Sequence, residues 1–254
     1  MLTAAYSIMH KLWLKIVIYI GYIKQNIIPG LIVGIYTKYS VLNGPFAKMK
    51  YTKRSIGSSF APKLLGTYES ELHPIIEKWL SRKDINDFYI IGAAEGYYAV
   101  GLLYRKRSLN IVAYEQNEEG QSLIMHLADI NNLHNKIKIC GKCQITDFKQ
   151  ILNSTSRINI ILDIEGSEKE FIENVEVECY MGSNLIIEMH EGVDRNLGNF
   201  ITRKFSKTHR ITIINQSKKY YLDNFMYFKR MLLKYLTCEN RKYCENYWIL
   251  LESY

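Results

Sequence analysis

From Asp84 onward the chain alternates short apolar runs with helix-length segments, and this alternation restricts the fold more than any other feature of the sequence. Residues 88–91, 110–114, 136–140, 158–162 and 184–188 read as five strands, with 211–214 and 247–251 as candidate sixth and seventh strands. Helical periodicity fills 97–104, 118–132 (Leu123, Leu127 and Ile130 on one side) and 222–236. Repeated β-then-α units predict a parallel sheet joined by right-handed crossovers. All four prolines occur by Pro74, so the later elements are delimited by Gly, Asn, Asp and Ser.

Upstream, 12–23 and 27–36 are apolar but interrupted by Lys15, Lys24, Pro29 and Gly30, and neither reaches the roughly 20 residues of a spanning helix. Two readings stay open for them: a helix packed on the main domain or a partner subunit, or an amphipathic helix lying on a membrane surface. Residues 43–67 read as an irregular connector, and 68–82 as a helix carrying Leu72, Ile75, Ile76 and Trp79 on one side. The expected division is a helical extension and connector over 1–67, and an α/β domain over 68–254.

The chain has 254 residues, 48% hydrophobic and 23% charged, which excludes a disordered protein. A net charge of +8 admits nucleic acid, an anionic membrane, an anionic substrate, or only a Lys-rich composition. Five cysteines, an odd number, and the lack of a clear secretory signal predict reduced thiols in a cytoplasmic protein. Cys140 and Cys143 have zinc-knuckle spacing, but Cys238 and Cys244 are too far apart for a second knuckle.

In an open parallel sheet, ligands bind beyond the carboxyl ends of the strands. Strand one is followed by Gly92-Ala93-Ala94-Glu95-Gly96-Tyr97, a tight glycine turn into a helix N-terminus. It lacks the G-x-G-x-x-G spacing that seats a pyrophosphate, and a carboxylate at Glu95 would repel phosphates while suiting an ammonium. Strand two ends in Glu115, an acid placed to hold ribose hydroxyls. A cationic amino-acid end plus a ribose without phosphate describes S-adenosylmethionine. Strand four runs into Asp163-Ile-Glu165-Gly166, and strand five into Glu188-Met-His190-Glu191. Alternation along extended chain would let Asp163 share a face with Glu165, and Glu188 with His190. Those groups support general-base chemistry, with His190 or Asp163 taking a proton from a hydroxyl. They also offer a divalent-metal set of Asp163, Glu188 and His190. The plainer alternative has Asp163 and Glu165 capping the next helix.

Four segments together resemble the FkbM-type family of class I S-adenosylmethionine-dependent methyltransferases: Ile91-Gly-Ala-Ala-Glu-Gly-Tyr-Tyr-Ala-Val-Gly101, Val112-Ala-Tyr-Glu-Gln-Asn117, Leu162-Asp-Ile-Glu-Gly-Ser-Glu168 and Leu185-Ile-Ile-Glu-Met-His190. The third fits the family's Asp-x-Glu-Gly-x-Glu pattern through Asp163, Glu165, Gly166 and Glu168. Pro62-Lys-Leu-Leu-Gly-Thr-Tyr-Glu69, Cys238-Glu-Asn-Arg241 and Trp248 look like marks of a subgroup. The resemblance implies a Rossmann-like seven-stranded sheet with an antiparallel last strand, and methyl transfer to an oxygen of a saccharide or other small hydroxylated molecule. It implies that Gly92, Glu95 and Gly96 meet the cofactor's amino-acid end. Glu115 would hold the ribose, and Gly141, Lys142 and Cys143 would lie near the adenine, with Ala93, Tyr97, Gln116 and Asp163 also among the cofactor-binding residues. The catalytic residues would come from Asp163, Glu165 and His190. Two positions depart from the pattern. Ile90 stands where the family has an acid or Asn, and Ile161 where it often has Lys; both leave room for a catalytically degenerate binding protein. A nucleic-acid acceptor finds support in the basic stretch from Arg203 to Lys242 with Tyr220, Tyr221 and Tyr227 interleaved, but the carboxylates after strand four would repel a phosphate backbone.

Overall fold

The seven expected strands form a single sheet in the order β3-β2-β1-β4-β5-β7-β6. They are β1 (Asp87–Ile91), β2 (Asn110–Tyr114), β3 (Ile137–Cys140), β4 (Ile158–Leu162), β5 (Ser183–Met189), β6 (His209–Asn215) and β7 (Tyr247–Ser253). The computed structural model describes residues 27–56, 58–153, 157–190, 192–216 and 247–254. The first five strands are parallel; β7 runs antiparallel to both β5 and β6. Strands covered on both faces read as continuous apolar runs, which is why β4, Ile-Asn-Ile-Ile-Leu, is buried along its whole length.

Among the described residues the α-helices are α1 (Ile28–Thr37), α2 (Phe60–Leu65), α3 (His73–Ser81), α4 (Tyr97–Arg105), α5 (Glu118–Ile130), α6 (Ile145–Leu152), α7 (Glu168–Glu173) and α8 (Leu197–Phe205). Local signals set their ends. Asn117 caps α5 by accepting the Glu119 N–H, and Gly66 stops α2 in the left-handed conformation. The predicted helix over 68–82 is a short 3-10 turn at Ser70–Leu72 followed by α3, because Pro74 sits in the first turn of α3. The connector expected over 43–67 contains α2, which begins after Ser59 and holds Pro62 in its first turn, where a missing N–H costs no helical bond. The predicted helix at 222–236 lies outside the described residues.

One face of the sheet buries Phe88, Ile90, Ile161 and Ile186 against α3, α4, α5 and the segment from Val33 to Tyr68. The other buries Ile91, Ile160, Leu162, Leu185 and Ile187 against α6, α7 and α8. Residues between Val33 and Tyr68 thus share this first core with α3, α4 and α5. Phe46 stands edge-on to Tyr97 and Tyr98 at 5.1 and 6.0 Å, and Tyr51 packs against Tyr97 at 6.0 Å. Gly101 on α4 makes room for the Phe46 ring, which a Cβ there would meet at 2.6 Å.

Candidate active site

The carboxyl ends of β1, β2, β4 and β5 open into a cavity of about 770 Å³. The β1 turn forms its floor. Gly92 (φ 84°), Ala94 (φ 48°) and Gly96 (φ 93°) all adopt left-handed backbone, which lets the chain reverse between β1 and α4. A Cβ on Gly92 would lie 1.7 Å from the Asp163 carbonyl oxygen, so the β1 and β4 turns touch backbone to backbone.

On the β2 side, Glu115 accepts the Ala94 N–H at 2.7 Å through one oxygen and the Asn117 N–H at 2.8 Å through the other. Gly120 on α5 leaves space for this carboxylate: a Cβ there would meet Glu115 Cγ at 2.7 Å. Gln116, Lys142 and Cys143 line the same end with the Tyr114 ring. Burial pushes the Cys143 thiol up to about 12, so it is a neutral, apolar wall.

On the β4–β5 side the central group is His190. Its Nδ1 lies 2.9 Å from Glu168 Oε1, and Glu168 is fully buried. Burial would raise the Glu168 pKa, but hydrogen bonds from His190 and from the Ile164 and Gly166 N–H groups hold it below the usual range. An ionised Glu168 only accepts, so His190 donates from Nδ1 and turns Nε2 into the cavity. There Nε2 is 3.5 Å from Glu165, 3.8 Å from Glu188 and 3.9 Å from Asp163. Burial lowers the His190 pKa, and the Glu168 carboxylate more than reverses this, with Glu188 and Glu165 adding to the rise. Burial, then the neighbouring Glu188, Glu69 and Glu165 carboxylates, raise Asp163 well above the carboxylate range.

Ligand atoms of Asp163, Glu165 and His190 lie within 4.8 Å of one another and could hold a divalent cation. Glu165, more than Glu188, completes this set. Glu165 reaches it by a turn and not by strand alternation, since its φ is 55°. Neither Asp163 nor Glu165 caps α7, which follows Ser167 without a side-chain cap. Glu188 and His190 do alternate as expected, with Met189 buried in the opposite core between them.

The cavity thus gathers Gly92, Ala93, Tyr97, Glu115, Gln116, Lys142, Cys143, Asp163, Glu165, Glu188 and His190. Glu95, Gly96 and Gly141 are not among its walls. Glu95 is fully buried on the side of the N-terminal extension. It pairs with Lys63 of α2, accepts the Tyr51 hydroxyl at 2.8 Å and the Ser55 hydroxyl, and lies 3.4 Å from the Ile56 N–H. Burial would raise its pKa, but Lys63, Ser55 and Tyr51 hold it below the usual range. The expected contact between Glu95 and a cofactor ammonium is therefore corrected: its charge is already matched by Lys63.

Sequence reasoning missed the roof. Ser58, Ser59, Lys63 and Tyr68 line the cavity from upstream, with Tyr98 of α4 and Trp248 of β7. A signal was present, because the stretch from Pro62 to Glu69 and Trp248 had stood out as subgroup marks. Ile90 and Ile161, the two departures, are register partners on β1 and β4, both buried and both lining the cavity. Apolar residues at these two facing positions leave no orphan charge on either strand.

The Gly92–Gly96 turn, Glu115 and the acidic walls suit a cationic cofactor without phosphates. Among the described lining residues, Glu115, Asp163, Glu165 and Glu188 stand against only Lys142, Lys63 (committed to Glu95) and His190. No protein-family model matches the chain. Glutamyl-tRNA reductase from Clostridium kluyveri is 23% identical over 145 residues, 57% of this chain. The chain spans about a third of that protein's length, 34%. Two solved structures have a similar fold. The N-terminal domain of human METTL16 has a TM-score of 0.51 at 15% identity, over 87% of this chain and 80% of that one. Human methyltransferase 10 domain containing protein has a TM-score of 0.50 at 13% identity, over 87% and 92%. The strand order, the antiparallel β7 and these likenesses agree: the chain has the Rossmann-like fold of the class I methyltransferases.

Proposed function

We propose that this chain is an S-adenosylmethionine-dependent methyltransferase acting on a hydroxyl of a saccharide or other small polar molecule, as its resemblance to the FkbM-type group suggests. One observation carries the reading: Glu115 at the end of β2 and the Glu168-supported His190 at the end of β5 line the same cavity. The cofactor, when bound, supplies an electrophilic methyl group on a sulfonium. Glu115 has about four lone-pair positions and uses two on backbone N–H groups, so two remain for ribose hydroxyls. Ile90, Ile91, Tyr114 and Cys143 supply apolar surface beside it.

His190 is the base in this reading. With Nδ1–H fixed by Glu168, its neutral form presents an acceptor at Nε2 to a substrate hydroxyl. Asp163 is a weaker choice, because burial and the neighbouring carboxylates, Glu188 first, shift it toward its protonated form. Methyl transfer needs mainly an oriented acceptor, and a base adds roughly 10²- to 10⁴-fold. The carboxylates around Nε2 favour a neutral or cationic acceptor over a polyphosphate backbone. The test is incubation of the protein with labelled cofactor and small-molecule, glycan or RNA fractions, read by mass spectrometry, beside titration calorimetry with cofactor alone. Label on a hydroxyl of a small molecule or glycan supports the reading; label on RNA replaces the acceptor, and absence of binding heat removes the cofactor.

A further inference from the structure

Helix α1 is built inside out. Its small residues face the protein: Gly30 and Gly34 are buried, and a Cβ on them would meet the Phe60 ring at 2.3 Å and the Tyr39 ring at 2.5 Å. Its large apolar residues face outward. Ile28, Leu31, Ile32 and Ile35 are 45%, 45%, 49% and 73% exposed. These fall at i, i+3, i+4 and i+7, a continuous stripe along one side of the helix. The inner face is already packed, so no rearrangement of the fold is needed to leave this stripe available.

Charge says what would cover it. The first 68 residues hold nine Lys or Arg and no Asp or Glu, while the remaining 186 hold 24 and 25. The whole of the net +8 thus comes from the segment that carries the stripe. Two of these bases adjoin the stripe: exposed Lys38 forms the left-handed C-cap of α1, and Lys53 lines a small cavity together with Ile27 and Leu31. The neighbouring Arg54 is paired with Glu119 at 2.8 Å.

We propose that the outer face of α1, with Lys38 and Lys53, seats on the surface of an anionic lipid bilayer. Aliphatic side chains gain nothing from a nucleic acid, and a second copy of the same face would set base against base. A bilayer with anionic headgroups rewards both features at once. At 10 residues α1 is about 15 Å long, half the hydrocarbon thickness, so it lies in the interface and does not span it. Among the described residues no helix is long and apolar enough to cross a membrane. Ile56 and Ser58 line both this small cavity and the large one, so docking would bring the candidate active site close to the headgroup layer.

The test is co-sedimentation of the full chain with phosphatidylcholine vesicles, with and without phosphatidylserine, and it involves no catalytic readout. The expected result is binding to the phosphatidylserine vesicles alone, weakening as salt rises. Lys38→Gln/Lys53→Gln should lower the partition coefficient by about 30-fold, and Ile32→Ser/Ile35→Ser by at least about tenfold, with melting temperatures unchanged. Four outcomes overturn the proposal: no binding to anionic vesicles; binding that the Ile variants leave intact; a lipid-free dimer that Ile35→Ser breaks; or, in lipid-free monomer, slow hydrogen exchange over residues 27–36 that Ile32→Ser/Ile35→Ser abolishes, which would show that the chain covers the stripe itself.

Discussion

Lys63→Met tests whether the upstream segment and the β1 turn are held together by charge. Lys63 and Glu95 are 3% and 0% exposed, so the substitution leaves a carboxylate buried without its counter-ion. Breaking such a pair on one side costs about 3–5 kcal/mol. Glu95 keeps donors in Tyr51 and Ser55, so the lower end applies, about 3 kcal/mol. For a domain of this size that corresponds to a fall in Tm of about 6–12 °C. The variant's deficit should be largest at neutral pH and shrink as pH falls, because protonation neutralises the stranded carboxyl. In the wild type the folded Glu95 pKa is depressed, so its contribution is present above the unfolded value and lost only as pH drops through the folded one. Lys63→Met/Glu95→Gln should recover to within about 1 kcal/mol, since no buried charge remains. Calorimetric scans across pH measure all of this. A Tm loss below about 2 °C in the single variant, or a double variant no better than the single, would refute the reasoning.

Glu115→Ala should weaken S-adenosylmethionine binding by about 1.5–3 kcal/mol, the scale of charged hydrogen bonds, and an unchanged calorimetric Kd would remove Glu115 from the site. Glu168→Gln should lower kcat and move the rise of kcat/KM with pH to lower values, because the carboxylate that raises the His190 pKa above 6.5 is gone; a pH profile that does not move would detach Glu168 from His190. The same pair stabilises the fold between the depressed Glu168 pKa, below 4.5, and the raised His190 pKa, above 6.5, so the Tm penalty of Glu168→Gln should be larger inside that window than above it. Ile90→Asp alone should cost about 3–5 kcal/mol as a buried unpaired charge; adding Ile161→Lys should restore at least about 1 kcal/mol of it in denaturant titrations, and strict additivity would refute the facing-pair account.

The sheet was legible because buried parallel strands are written as short apolar runs, and the cavity because such sheets bind ligands at their carboxyl ends. Local conformation was not legible. Left-handed Ala94 and Gly96 swing Glu95 away from the strand ends, and left-handed Glu165 departs from the alternation assumed for it. Ala and Glu do not announce that geometry in sequence. Lys63 was missed because its partner lies 32 positions away and is chosen by packing alone. Ile90 and Ile161 read as two separate departures until their register made them one.

The contact between Gly92 and the Asp163 carbonyl has a consequence for how such a protein can change. Two turns with different duties lean on each other through main chain, with no side chain between them to trim or lengthen. An insertion or a bend in the turn that carries Asp163 would displace the turn that begins at Gly92. Change at the cavity is thereby confined to exchanging side chains on a fixed frame, among them those of the roof from Ser58 to Tyr68, which reaches the cavity from elsewhere in the chain and is itself pinned by the Lys63–Glu95 pair.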